Sequence, residues 1–361
     1  MLKIINVVGA RPNFMKVAPI VAAMKRRERE FAPLLIHTGQ HYDADMSETF
    51  FRDLDLPPPD IHLGVGSAPR DQQITAVEER FAPVVAKEKP DWVIVVGDVN
   101  STLACARAAK KLDAKVAHVE AGLRSYDWSM PEETNRVETD RIADLLLTPS
   151  ADADDNLRAE GILPERIRLV GNVMIDSLYQ NLERSRESAI RDQLGLTEKS
   201  YGVLTLHRPA NVDDPIVFSR ILAALEPITE TLPIVFPVHP RTRTTIAGLG
   251  LYERIEKMKG LRLIEPLGYL DFLNLYSGAR LVLTDSGGIQ EETTVLGIPC
   301  LTLRENTERP ITVTMGTNKI VGTDTARIIA AASAALAETP RAPVSIPLWD
   351  GHTAERILAA L

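Results

Sequence analysis

The chain has 361 residues, 45% of them hydrophobic and 25% charged, which is enough for two domains with separate cores. A formal net charge of -8 argues against a general nucleic-acid binder but leaves room for a small anionic ligand where basic side chains converge. No apolar run approaches the roughly 18 residues that cross a bilayer, and Cys105 and Cys300 lack any CxxC or Cys/His spacing, so neither a membrane span, a disulfide framework nor a zinc site is indicated.

Strand and helix signals then alternate, the pattern of parallel sheets covered on both faces. Residues 2–8 read as a strand with no small-residue cleavage site after it, which predicts a cytoplasmic protein. The turn Gly9-Ala10-Arg11-Pro12-Asn13 leads to a helix over 14–27, and a strand follows at 33–38. Residues 92–96 form a fully buried type of strand ending at Gly97-Asp98, before a helix over 103–112. The strand at 115–119 ends at Glu120-Ala121-Gly122, and strands at 144–148 and 166–170 complete a first sheet.

Helical sequence from 175 to 194 leads to a second series, with strands at 202–206, 234–238, 261–264, 281–284 and 299–303. Pro237 weakens the second of these. The tail at 353–361 is apolar at helical spacing and requires a surface to bury it. After the strand at 281–284, Asp285-Ser286-Gly287-Gly288 turns into a helix start. Its backbone N–H groups and positive helix end suit a phosphate. Ile289 stands where a capping box begun at Ser286 needs Glu or Gln, which leaves the Ser286 hydroxyl for another partner.

Ligands of open parallel sheets bind beyond the carboxyl ends of the strands. There the first half of the chain places Arg11, Lys16, Asp98, Glu120 and Arg124, and the second half His207, Arg208, His239, Arg241 and the Ser286 turn. Basic groups with an N–H-rich turn suit a diphosphate, and facing carboxylates suit proton transfer. Each residue also has an ordinary reading. Asp98 is a candidate cap for the next helix, Lys16 a solvated helix residue, and His207 and His239 satisfied structural histidines; His37, His41 and His118 read as structural. Glu132 and Glu133 beside Arg136 suggest a surface ion pair. No G-x-G-x-x-G, P-loop lysine or H-E-x-x-H pattern occurs, so the sequence requires no NAD, ATP or metal cofactor.

The motifs Gly9-Ala10-Arg11-Pro12 with Lys16, Thr38-Gly39-Gln40-His41, Gly97-Asp98, His118-Val119-Glu120-Ala121-Gly122-Leu123-Arg124 and Pro131-Glu132-Glu133 run in order along the first half. Gly171-Asn172, His207-Arg208, Pro237-Val238-His239-Pro240, the stretch 285–292 and Thr307-Glu308-Arg309-Pro310 continue the series. Together they resemble the non-hydrolysing UDP-N-acetylglucosamine 2-epimerases. The resemblance implies an α/β, GT-B-like fold of two Rossmann-like parallel-sheet domains with the active site in the cleft between them. The first spans 1–171, with a C-terminal helix at about 348–361 packing back on it, and the second, UDP-binding, spans 172–347. It implies interconversion of UDP-GlcNAc and UDP-ManNAc by a homodimer without cofactors. It also implies that Arg11, Lys16, His207, Ser286, Gly287, Gly288 and Arg309 surround the diphosphate, with Arg124 and His239 nearby. Glu292 would bind the ribose, the backbone near Phe272 the uracil, and Asp98, Glu120 and Glu132 would be the acid/base carboxylates. A hydrolysing relative, a GT-B glycosyltransferase and a nucleotide-sugar binding protein are the competing readings.

Overall fold

A parallel strand covered on both faces needs a continuous apolar run, and Trp92–Val96 supplies one, with every residue after Trp92 buried. The computed structural model describes residues 1–40, 51–339 and 342–361, and Arg11 by its backbone alone. His41 lies outside the described residues. The chain divides into two units, Met1–Gln180 with Pro347–Leu361, and Asn181–Ile346.

In the first unit, strands β1 (Leu2–Val8), β2 (Phe31–His37), β3 (Ile61–His62), β4 (Trp92–Val96), β5 (Lys115–Val119), β6 (Leu145–Thr148) and β7 (Ile167–Leu169) form one sheet in the order β3-β2-β1-β4-β5-β6-β7. Its described pairings are all parallel. Helices α1 (Arg11–Arg26), α2 (Arg70–Glu88), α3 (Asn100–Lys111), α4 (Pro131–Ile142) and α5 (Ala151–Ala159) connect the strands, and α6 (Val173–Ser185) begins in this unit and ends in the second. Helix α1 starts three residues before the predicted 14–27, because Pro12 fits the first helical turn, where its missing N–H has no intrahelical role. Pro83 in the interior of α2 weakens its signal in the sequence. Its stripe of Ile74, Val77, Phe81 and Val85 is nevertheless buried in the core with β4, β5 and α3.

The second unit repeats the arrangement. Strands β8 (Gly202–Thr205), β9 (Ile234–Pro237), β10 (Leu261–Ile264), β11 (Leu281–Thr284), β12 (Cys300–Thr302) and β13 (Asn318–Ile320) form a parallel sheet ordered β10-β9-β8-β11-β12-β13. Pro237 is tolerated because it is the last residue of its strand. Helices α7 (Pro215–Thr231), α8 (Tyr269–Ser277), α9 (Gly287–Val295) and α10 (Thr325–Ala337) belong to this unit, and Phe218, Ile221, Leu222 and Leu225 of α7 lie in its core.

In both sheets the strand order reverses once, between β1 and β4 and between β8 and β11. Those reversals leave crevices at the carboxyl ends of the strands, where open α/β sheets bind ligands.

The C-terminal helix α11 (Thr353–Ala360) belongs to the first unit and packs on α1. Asp176 of α6 accepts its Thr353 and Ala354 N–H groups at 3.0 and 2.7 Å, and Trp349 Nε1 donates to the Pro149 carbonyl at 2.9 Å. Truncating the buried Trp349 leaves a cavity and an unmet carbonyl. Trp349→Ala is expected to cost about 3–5 kcal/mol, read as a lower denaturant midpoint for the first unit by intrinsic fluorescence or hydrogen exchange.

Candidate active site

In the first unit, β4 and β5 are neighbours paired in register from Trp92↔Lys115 to Val96↔Val119, so Asp98 and Glu120 leave adjacent strand ends. The helix after Asp98 has Val99 at its N-cap and no side-chain cap, so the carboxylate is not used for capping. Instead Asp98 is ion-paired with Arg136 of α4, and its carbonyl accepts from Asn135 Nδ2 at 2.9 Å. About a quarter of the Asp98 side chain remains open to solvent, at 24%.

Glu120 is buried and held in the left-handed region at φ 68, uncommon for a residue with a Cβ. Its N–H and that of Ala121 both reach the Leu147 carbonyl, at 3.0 and 3.2 Å, and its carboxylate forms a buried ion pair with Lys16 of α1. Gly122 follows at φ 80, where an added Cβ would meet the Ala153 carbonyl oxygen at 2.4 Å, so the turn admits only glycine.

Helix α4 backs both turns. Arg136 and Asp140 lie four residues apart on it, and Glu133 three residues before Arg136, so all three share a face. Glu133 is fully buried, accepts the Ser125 and Tyr126 N–H groups, both at 3.0 Å, and pairs with Arg136 at 2.9 Å. The expected surface pair is therefore a buried one, because α4 packs over the β5 turn. Glu132 stands exposed in the first turn of the same helix.

Arg124 is buried and clasps Glu160 through Nε and Nη2 at 2.7 and 2.9 Å, with Nη1 2.7 Å from Asp140. Its guanidinium is occupied within the fold. His118 is fully buried on β5, with Nδ1 2.7 Å from Asp140 and Nε2 2.7 Å from the Gly97 carbonyl.

In the second unit the centre is Asp285, at the end of β11 and fully buried. It accepts the N–H groups of His207 and Arg208 at 3.0 and 2.9 Å and Asn211 Nδ2 at 3.2 Å, and lies 2.9 Å from His207 Nδ1. Burial pushes its pKa up, but the His207 ring and these N–H donors outweigh that and hold the carboxyl below its usual range. The half-exposed His207 ring is thereby fixed at one nitrogen. His239 is exposed at the N-terminus of the helix Pro240–Gly248, its ring centre 6.2 Å from that of His207.

Ser286 is the N-cap of α9 and makes no side-chain cap bond, leaving its hydroxyl and the N–H groups of Gly287 and Gly288 at the helix end. Arg309 is buried against this turn, paired with Glu291 at 2.8 Å and Glu308 at 2.6 Å, and Arg304 meets Glu308 at 2.8 Å. A Cβ on Gly287 would lie 2.4 Å from Arg309 Nη1, so glycine lets the arginine come up against the turn.

Glu292, one turn into α9, is buried beside Tyr269, whose hydroxyl donates to it at 3.3 Å. Burial raises its pKa to about 7, with the neighbouring Glu291 adding and the Tyr276 and Tyr269 hydroxyls only partly offsetting. Phe272 is half-buried on α8 with its ring 5.1 Å from Tyr276. Among the described residues, no group of three or more His, Cys, Asp or Glu side chains is placed to hold a metal ion.

The sequence reading passed over the partners. Arg136 behind Asp98, Asp140 behind His118 and Asp285 under His207 are long-range contacts made by helix faces and strand ends. The one signal for them was an ionisable residue on an otherwise apolar or helix-buried position.

The family model described as UDP-N-acetylglucosamine 2-epimerase matches residues 23–361. A UDP-N-acetylglucosamine 2-epimerase homolog of Methanococcus maripaludis is 44% identical over 330 residues, 91% of each chain. A UDP-2,3-diacetamido-2,3-dideoxy-D-glucuronate 2-epimerase of Pseudomonas aeruginosa is 41% identical, covering 94% of this chain and 93% of its own. The crystal structure of Methanocaldococcus jannaschii UDP-GlcNAc 2-epimerase in complex with UDP-GlcNAc and UDP has a TM-score of 0.92 at 40% identity over 99% of both chains. A sucrose-phosphate synthase of Thermosynechococcus elongatus, 15% identical with a TM-score of 0.63, shares the fold alone and places the architecture in the GT-B class. With two Rossmann-like sheets, a family model matching residues 23–361 and relatives above 40% identity over nine-tenths of the chain, the chain belongs to the UDP-N-acetylglucosamine 2-epimerase family.

Proposed function

We propose that the protein is a non-hydrolysing epimerase that interconverts UDP-GlcNAc and UDP-ManNAc. The observation that carries this reading is the placement of Asp98 and Glu120 at adjacent strand ends, each backed by a cation, in a chain 40% identical to an epimerase crystallised with UDP-GlcNAc and UDP.

The chemistry explains the equipment. The C2 hydrogen of the sugar is barely acidic, so its removal needs an electron sink. In the proposed reaction a carboxylate takes that proton, the C2–H electron pair becomes the C1=C2 bond, and the C1–O bond breaks with its electrons passing to UDP. The result is 2-acetamidoglucal beside UDP. Returning a proton to the other face of C2 and the phosphate oxygen to C1 gives the inverted epimer. Two carboxylates on different sides of the ring suit this, because one removes a proton and another supplies one. Asp98 and Glu120 fill those roles, with the exposed Glu132 as a third carboxylate on the helix that positions Asp98.

Charge gathers on the departing diphosphate, where the α9 N-terminus, Arg309 and a His207 ring steadied by Asp285 would stabilise it. His239 would stand at its edge, Glu292 would accept from the ribose hydroxyls, and the backbone near Phe272 would meet the uracil. Arg124 is better placed to brace the turn after Glu120 than to touch substrate, since Asp140 and Glu160 occupy it.

A second substrate is favoured by one finding, the 41% identity to the UDP-2,3-diacetamido-2,3-dideoxy-D-glucuronate 2-epimerase. The same elimination and re-addition apply to it, and kcat/KM measured on both sugar nucleotides decides between them.

Three outcomes test the reading. In D2O, UDP-GlcNAc is expected to yield both epimers with deuterium at C2 and no accumulating free sugar; free ManNAc by NMR would mark hydrolysis instead. Asp98→Asn and Glu120→Gln are expected to lower kcat by about 100-fold to 10,000-fold while UDP binding by calorimetry stays near wild type. Parallel loss of binding would make them structural. Because Glu292 titrates near 7 and its carboxylate is the better acceptor, UDP-GlcNAc affinity is expected to weaken up to about tenfold from about pH 8 to pH 6. Glu292→Gln should flatten that dependence.

A further inference from the structure

The His118–Asp140 pair sits behind both proposed catalytic turns without touching a site where substrate would react. His118 Nε2 lies 2.7 Å from the carbonyl of Gly97, the residue before Asp98. Its Nδ1 lies 2.7 Å from Asp140 Oδ1, and Asp140 Oδ2 accepts the Gly122 N–H at 3.1 Å, two residues after Glu120. The ring and its carboxylate are therefore the middle of a chain that runs from the Asp98 turn to the Glu120 turn, with His118 and Asp140 both fully buried.

The hydrogens on that chain can be counted. A carbonyl only accepts, so Nε2 carries one. Asp140 Oδ2 faces the Arg124 guanidinium at 2.7 Å and accepts the Gly122 N–H at 3.1 Å, partners that favour the ionised carboxylate, so it too only accepts. Nδ1 must then carry a second hydrogen. The resulting positive ring is balanced. Asp140 faces it, while Arg124, against the other Asp140 oxygen, is met by Glu160. Two cations and two carboxylates close the cluster with no charge left over, which is how buried ionic groups become tolerable.

We propose that His118 is held as an imidazolium whose two N–H donors set the spacing of Asp98 and Glu120, making it a positioning residue for the proton transfers at C2. This rests on the epimerase reading. A neutral ring would free one end of the chain and let one turn drift, and a displacement of about 1 Å is enough to cost about 100-fold in rate. The strained Glu120, at φ 68, is the residue such slack would release first.

Neutron diffraction from deuterium-exchanged wild-type crystals reads the proton placement directly, with no variant and no turnover. Deuterium on both His118 nitrogens is expected; one bare nitrogen overturns the proposal. The functional arm uses His118→Gln, which still donates to Gly97 but presents an acceptor to Asp140. It is expected to lower kcat by about 10-fold to 100-fold with KM for UDP-GlcNAc nearly unchanged. Adding Asp140→Asn restores a donor opposite the glutamine and is expected to recover most of kcat. Wild-type kcat in His118→Gln, or no recovery in the double variant, overturns it. Failure of the wild-type protein to epimerise UDP-GlcNAc would instead sink the epimerase reading, and the neutron result would stand apart from it.

Discussion

A carboxylate at the end of a buried parallel strand is costly unless a cation or a set of N–H donors meets it, and that constraint organises both units. In the first, Lys16 meets Glu120, Arg136 meets Asp98, and His118 with Arg124 meets Asp140. In the second, Asp285 collects His207 and two backbone N–H groups, while Glu291 and Glu308 meet Arg309. Breaking a buried pair of this kind is costly, which favours holding these side chains in one arrangement. Rigidity of this kind is what proton transfer and charge stabilisation ask of a site.

The two units use the same sheet order for different chemistry. In the first, the adjacent ends of β4 and β5, beside the switch point between β1 and β4, carry the acids Asp98 and Glu120, the latter in a backbone conformation that neighbouring groups must enforce. In the second, the reversal between β8 and β11 gathers N–H groups, a histidine and arginines around a glycine turn, a setting for an anion. Glu292 departs from the rule, because burial, with Glu291 beside it, raises its pKa to about 7. In the proposed reaction, proton removal and leaving-group stabilisation fall to different sheets, which share a topology and differ in the residues at their strand ends.

Much of this was legible in the sequence, for reasons that can be named. The buried runs at β4, β5, β8 and β11 are short, apolar and flanked by glycine or acidic turns, so their ends, and with them Asp98, Glu120, His207 and Ser286, were readable. The two-residue strand Ile61–His62 is too short to show a period, and β13 carries Asn318 and Lys319 in three residues. Partners were the harder part. Arg136 reads as a surface residue beside two glutamates, and only the packing of α4 over the β5 turn buries it against Asp98. Arg124 reads as a free cation beside the site, and nothing local reveals that Glu160, on the far side of α5, will clasp it. Pairing across such distances is set by tertiary packing and leaves no mark in spacing or composition.

In the proposed reaction the C1–O bond of the sugar nucleotide breaks while the C2 proton leaves. Positional isotope exchange measures that bond directly: UDP-GlcNAc carrying oxygen-18 in the bridge between C1 and the β-phosphorus is incubated with the protein, and its phosphorus NMR is followed. The label is expected to spread into the non-bridging β-phosphate positions at a rate at least matching epimerisation. Full retention of the label in the bridge while C2 inverts would contradict the proposed reaction.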